Sequence, residues 1–405
     1  MKNSYKRWGL GAALILAAGS LLTTTATAAS AAPQVPKACA QQPRSGHIAG
    51  IVPAVGSCPR ATASASAPVL GVFGANALTS DSLFRANVPA SDPAKGTPPL
   101  IFHGGPVMMT PSSTPLVVTP IFWNAAGHPM SGDYKRILQT YLTAVSLASG
   151  TFNNVFSVAN EYFGTNGQIH YKVRQGNPIN DTSPLPASGC TVASNDTTNI
   201  YADRTGYDAC LDDDQLQAEI NNVTAARALP HDLSHIYVLY LPKHVESCFN
   251  AGSTLTASNA CTINHQPSAA YCAYHSDATS NAIYANMPFP IYNSPVGFTC
   301  GTEKNFGVIE SPNGNRDADV EVSPTSHEIN ESITDPDTVT GWYDSSGFEN
   351  GDECAYIFGA TQGNPGQLFN QTIAGFRYLT QEEFSNKDFA LTGGGCVQGS
   401  QQEAS

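Results

Sequence analysis

The sequence predicts an α+β fold: a mixed sheet with packed helices and a loop-rich, disulfide-bonded C-terminal third. Strand-like and helix-like patterns alternate through the first half of the chain, and short strand patterns dominate afterwards. The last third is rich in Gly, Asn and Asp and still carries cysteines. With 41% hydrophobic and only 13% charged residues, the chain has the balance of one that buries a core. Its 405 residues suffice for a sizeable one. The net charge of −13 argues against nucleic acid or an anionic membrane surface as partner.

The N-terminus reads as a secretory signal over residues 1–31. Lys2, Lys6 and Arg7 precede an apolar stretch from Gly9 to Leu22, and small-residue cleavage patterns follow at Ala26-Thr27-Ala28 or Ala29-Ser30-Ala31. The apolar stretch is short for a bilayer and no second one follows, so a secreted, extracellular protein without a membrane span is expected. Residues 32–99 are rich in Ala, Ser and Pro, the composition of a surface extension or of a removable pro-segment. A single globular domain is expected over 100–405. The 10 cysteines of an exported chain point to disulfides. Nearest-neighbour pairing is the simplest arrangement: Cys39–Cys58, Cys190–Cys210, Cys248–Cys261, Cys272–Cys300 and Cys354–Cys396.

Within the domain, Ile101 to Met109 reads as an extended entry and Pro115 to Trp123 as a strand, with Pro120 suggesting an edge position or a strand end. Ile137, Tyr141, Leu142, Val145 and Leu147 recur at helical spacing within Tyr134 to Leu147. Asn153 to Phe163 continues as a second helix and Gln168 to Val173 returns as a strand. Residues 175–210 form a Pro/Asn/Asp-rich excursion that Cys190 and Cys210 can close. Asp212 opens a helix running to about Ala226, its Asp run serving cap and dipole. Ile236 to Leu241, Ala269 to His275 and Ala282 to Met287 read as strands. The polar run Asn313, Asn315, Asp317, Asp319 and Glu321 lacks the pattern of a calcium loop and reads as a strand or loop edge.

The most informative stretch is Ser323-Pro-Thr-Ser-His-Glu-Ile-Asn-Glu-Ser-Ile-Thr-Asp-Pro336. Ser323 as N-cap, Pro324 in the first turn and Pro336 as terminator predict a short helix. One turn separates His327 from Glu331, with Glu328 beside them, while Ile329 and Ile333 take the opposite face. A helix presents two metal ligands and a general base in this way. The string is H-E-x-x-E rather than the H-E-x-x-H of zinc peptidases, and carboxylate oxygen is an accepted zinc ligand. The competing reading is a solvated polar face that carries one His. A third ligand is sought downstream, where Glu349 or Asp352 can return across a Gly-rich turn, with Asp344 and Glu353 as weaker candidates. His275 can flank a cleft, binding substrate or acting as an electrophile, and His103 precedes a Gly-Gly pair. No G-x-S-x-G elbow, phosphate loop or dinucleotide fingerprint is present.

His103-Gly-Gly-Pro-Val-Met, Pro120-Ile-Phe-Trp, Asn154-Val-Phe-Ser-Val, Tyr271-Cys-Ala-Tyr-His, and the His327 motif with Thr334-Asp-Pro, Trp342-Tyr and Gly351-Asp-Glu-Cys354 together resemble the exordium/phosphate-induced protein family. The resemblance touches roughly residues 100–165 and 270–358. It implies export and a shared zincin-like core, without supplying a chemistry. The motif helix is separately similar to the active-site helix of zinc peptidases. The expected function is therefore a secreted metal-dependent hydrolase, a zinc peptidase acting on a peptide or cell-wall substrate. His327, Glu331 and Glu349 or Asp352 would hold the metal, Glu328 would be general base and His275 would assist. The oxygen-rich set leaves calcium and manganese open beside zinc. The alternative is a non-catalytic wall- or glycan-associated binding protein with a structural metal or a hydrogen-bond cluster.

Overall fold

The computed structural model of the chain describes residues 98–193, 196–249, 261–262, 271–292, 299–338, 340–345 and 347–400. The expected signal, most of the extension and the Cys39–Cys58 pair lie outside the described residues. Helices and strands are mixed, as the alternating patterns predict, around one six-stranded sheet. Its strands are β1 (Leu116–Trp123), β2 (Val173–Gln175), β3 (Ile179–Asp181), β4 (His235–Tyr240), β5 (Tyr274–Asp277) and β6 (Ile283–Met287). The order is β5-β6-β4-β1-β2, with β3 continuing β2's side of β1. Every pairing is parallel except β5 with β6. Three main helices cover the sheet: α1 (Gly132–Leu147), α2 (Asp213–Arg227) and α3 (Arg316–Thr334).

Side-chain alternation along the strands sorts the core into two layers. Val118, Phe122, Ile236, Val238 and Tyr240 face α1 and α3, whereas Ile121, Trp123, Tyr237 and Leu239 face Leu216, Ile220 and Val223 of α2. Local signals explain the helix starts. Ser131 accepts from the Tyr134 N–H on α1, and Asp212 forms a capping box with Gln215 on α2. Asn153 to Phe163 becomes a 3₁₀ helix at Val155–Glu161, capped by Asn154, rather than an α-helix. Of the strand expected at Gln168 to Val173 only the ends are strand, Gln168 closing a two-residue strand at Gly167–Gln168 and Val173 opening β2, and Leu147 is 70% exposed rather than part of the core stripe.

Two prolines are placed differently from the sequence expectation. Pro120 lies in β1, which is central, not an edge strand. Pairing with β2 ends at Val118 and pairing with β3 begins at Ile121. Val118 accepts from the Gly176 N–H on that side, and Pro120, two residues on, turns its missing N–H to the same side, into the gap between partners. Pro324 lies in the interior of α3, not in its first turn. The cap is Asn315, whose side chain accepts from the Ala318 N–H, and Asp317 and Asp319 occupy the first turn, so the polar run is helical rather than a loop edge. A proline there removes a helical hydrogen bond at a cost of about 3 kcal/mol. Burial of α3 on every side offsets it, because all residues from Ala318 to Thr334 are buried. That burial also overturns the solvated-face reading of the motif.

Four disulfides join Cys190–Cys210, Cys248–Cys261, Cys272–Cys300 and Cys354–Cys396, and no described cysteine is free. No helix among the described residues is long and apolar enough to cross a membrane.

Between the sheet and α2, Glu219 faces Asp181 at the end of β3. Burial, with the Asp181 carboxyl beside it, pushes the Glu219 carboxyl up to about 8 from its ordinary 4.5. The folded chain therefore holds this proton more tightly than the unfolded one. Its stabilising contribution is complete below about 4.5 and lost as pH rises through about 8. Urea midpoints of Glu219→Gln and wild type should accordingly diverge in the variant's favour between about pH 5 and pH 8. A difference that stays constant over that window would refute the assignment.

Candidate metal centre

Two elements and one returning segment bring the site together. α3 supplies His327, Glu328 and Glu331, all with fully buried side chains. On β5, Tyr274 points to the α2 layer, so by alternation His275 points to the α3 layer, where it is also fully buried. After Pro336 the chain turns back beneath the end of α3. Gly341 has φ +81° there, and a Cβ on it would lie 2.4 Å from the Thr334 carbonyl oxygen, so the return needs glycine twice over. The returning segment then delivers Glu349 and Asp352, whose side chains are 2% and 11% exposed.

The donors converge on Glu331. His327 Nε2 lies 2.8 Å from Glu331 Oε1, and Asp352 Oδ1 is 3.7 Å from the same nitrogen. The Asp352 N–H donates to Glu331 Oε1 at 3.0 Å. His275 Nδ1 lies 3.4 Å from Glu328 Oε2 and 3.5 Å from Glu331 Oε2, and Glu349 Oε2 is 3.8 Å from His275 Nε2. One ligand atom each from His275, Glu331 and Glu349 lies within 4.8 Å of the others, and the same holds for His327, Glu328 and Glu331.

Each imidazole is oriented by its far nitrogen. His275 Nε2 lies 3.1 Å from the Asp335 carbonyl oxygen; its N–H donates there and Nδ1 carries the lone pair into the cluster. His327 Nδ1 is 2.7 Å from the Gln381 amide nitrogen, which also donates to the Gly351 carbonyl. In this amide orientation His327 carries its proton on Nε2, toward Glu331; ligation through Nε2 takes the reversed amide, with Oε1 against Nδ1–H. Gly351 is the second device: a Cβ there would stand 2.7 Å from His327 Nδ1.

Burial and mutual charge set the protonation of the cluster. Burial pushes the Glu349 and Asp352 carboxyls well above their ordinary range, and burial likewise raises Glu328. Burial also opposes charge on the imidazoles, yet Glu349, Glu328 and Glu331 outweigh it at His275, which sits well above 6.5. At His327 burial is outweighed by Glu331, and its pKa rises to about 9. Glu331 resists the upward push of burial because His327 and His275 hold it down, at about 2. Protons on the two imidazoles thus balance part of the carboxylate charge. His275 Nδ1, Glu331 Oε2 and Glu349 Oε2 are buried and make no hydrogen bond. Leaving such atoms unsatisfied costs about 1–3 kcal/mol each, more where they are charged. A divalent cation removes that cost and takes both nitrogen and oxygen ligands, so the residues fit one.

His275, His327, Glu328, Glu331, Glu349 and Asp352, six of the residues singled out from the sequence, therefore meet in one place. His103 does not join them; its ring stacks on Tyr343 at 3.6 Å and its Nε2 meets the Tyr343 carbonyl. Asp344 accepts from the Phe348 N–H and shapes the turn. Sequence reasoning missed Gln381 and the carbonyl of Asp335. Gln381 stands 54 positions from His327 in a segment without a motif, and a backbone carbonyl leaves no trace in side-chain spacing.

No family model matches the chain, and no match was found among curated proteins or among solved structures.

Gly351→Ala should push the His327 ring from its place and weaken divalent-cation binding about 10–100-fold, the cost typical of disturbing groups that orient a ligand. Gly132→Ala, where a Cβ meets nothing within 4 Å, should leave it unchanged. Competition against a chromophoric chelator measures both, with far-UV circular dichroism to confirm the fold; equal affinities would contradict the placement of Gly351.

Proposed function

We propose that this chain is a secreted metal-dependent hydrolase, a peptidase acting on peptide or cell-wall substrates, built on a zincin-like core. The observation that carries the reading is the buried convergence of His327, Glu331, Glu349 and Asp352, with Glu328 beside them on the same helix. The four disulfides support an oxidising, extracellular setting. The motif islands similar to the exordium/phosphate-induced family support the same compartment.

Zinc fits the mixed imidazole and carboxylate set, and manganese fits its oxygen-rich part. When bound, such an ion supplies Lewis acidity to the reacting oxygen. His327 and Glu331 would hold it, one turn of α3 apart, with Glu349 and Asp352 completing the set. Glu328 would take the proton of the attacking water at Oε2. Burial raises its carboxyl, which moves it toward the working range of a general base. His275 stands beside Glu328, its Nδ1 3.4 Å from that oxygen.

A specific observation favours a second reading. Apart from the edge of Asp352, the cluster is closed to solvent, the expected condition of a structural cation in a non-catalytic wall- or glycan-associated protein.

Activity separates the two. Wild type loaded with zinc is incubated with a mixed peptide library, with and without chelator, and Glu328→Gln is compared on any peptide cleaved. The hydrolase reading predicts chelator-sensitive cleavage, and a loss of about 10²–10⁴-fold in kcat for Glu328→Gln with the cation retained. Cleavage unchanged in Glu328→Gln would remove the base, and no cleavage by metal-loaded protein would favour the structural cation.

A further inference from the structure

We infer that the centre holds two divalent cations bridged by Glu331, one beside His327 and Asp352 and the other beside His275 and Glu349. This rests on the cation reading above and goes beyond it in number and arrangement. The two oxygens of Glu331 address different imidazoles: Oε1 lies 2.8 Å from His327 Nε2 and Oε2 lies 3.5 Å from His275 Nδ1. Ligands of one ion at about 2.1 Å from it can stand no more than about 4.2 Å apart. Among the described residues, no set of three donors all within 4.8 Å of one another contains both histidines, whereas each histidine forms such a set with Glu331. One carboxylate placed between two ligand sets is the arrangement of two-metal sites, whose ions stand about 3.5–4 Å apart.

The second position has its own built-in evidence. His275 is fully buried, its Nδ1 has no hydrogen bond, and the Asp335 carbonyl holds its Nε2–H so that the Nδ1 lone pair faces the cluster. Glu349 Oε2 and Glu331 Oε2 are likewise buried without a hydrogen bond. None of these atoms is used by a cation held at His327 through Glu331 Oε1.

Charge balance points the same way. Glu328, Glu331, Glu349 and Asp352 bring four carboxylates into a closed space with two imidazoles. One divalent ion leaves that space two charges negative when all four are ionised; two ions neutralise it, and an uncompensated buried charge is costly. Four carboxylates and two histidines also form the ligand complement of di-iron and di-manganese carboxylate sites in helical bundles. Glu328 stands beside both imidazoles, 3.4 Å from His275 Nδ1 and in one donor set with His327 and Glu331.

The test is a titration of the chelator-stripped full-length chain with manganese(II), followed by calorimetry and electron paramagnetic resonance. Two equivalents with a spin-coupled spectrum are expected. His275→Ala and, as a milder variant, Glu349→Gln should each bind one equivalent and show the isolated six-line signal. His327→Ala should also bind one, at the other position. One equivalent in wild type that survives in His275→Ala and Glu349→Gln would overturn the second position and leave the cation reading intact. One equivalent lost in both histidine variants would mean a single shared ion and also overturn it. Two equivalents without spin coupling would overturn the bridge. No manganese bound by wild type would overturn both readings. Where a variant fails to fold by circular dichroism, wild-type stoichiometry and coupling decide.

Discussion

Four carboxylates and two imidazoles packed into a closed space require a positive charge, and the rest of the site can be understood from that requirement. α3 is buried along almost its whole length although it carries Asp319, Glu321, His327, Glu328 and Glu331. Val322, Ile329 and Ile333 account for the burial of one side of this helix, and its polar side needs partners of another kind. Its own side chains meet part of the need: Ser332 returns to the Glu328 carbonyl, Asn330 to the Ser326 carbonyl, and Thr325 meets the Tyr240 hydroxyl. Among the atoms left over are His327 Nε2 and Glu331 Oε2, which are metal-ligand types.

The scaffold holds those atoms from several directions. The antiparallel pairing of β5 with β6 sets His275 opposite Ala285, and β6 lies parallel to β4 in the middle of the sheet. The Cys272–Cys300 bridge begins three residues before His275, and Cys354–Cys396 begins two residues after Asp352. Each ties a ligand-bearing segment to a distant stretch, a constraint typically worth about 2–4 kcal/mol. Gly351 lets the backbone touch the His327 ring, and Ile329 and Ile333, both fully buried, fasten the opposite side of α3 to the core. Position here is set by packing, and charge by the carboxylates and imidazoles that meet at Glu331.

Much of this was legible in the sequence because it was local. Helical spacing placed His327 and Glu331 together, β-branched runs marked β1 and β4, and nearest-neighbour pairing anticipated all four disulfides among the described residues. What stayed hidden depends on tertiary context. Pro120 in a central strand is tolerated only because β1 changes partner there, and Pro324 inside α3 only because packing outweighs one hydrogen bond. Gln381 and the Asp335 carbonyl orient the imidazoles from positions that carry no motif. Nor could periodicity reveal that the polar side of α3 is buried, since an amphipathic pattern looks alike whether its polar face meets water or other carboxylates.

The presence of a cation at Glu331 is the claim on which the account stands, and anomalous diffraction from crystals of zinc-loaded protein addresses it most directly. The account predicts a zinc peak against a Glu331 oxygen at about 2.0–2.2 Å, with a histidine nitrogen at about 2.0–2.1 Å. Crystals showing no anomalous peak within reach of Glu331, with His327 and Glu331 still paired at hydrogen-bond distance, would contradict it.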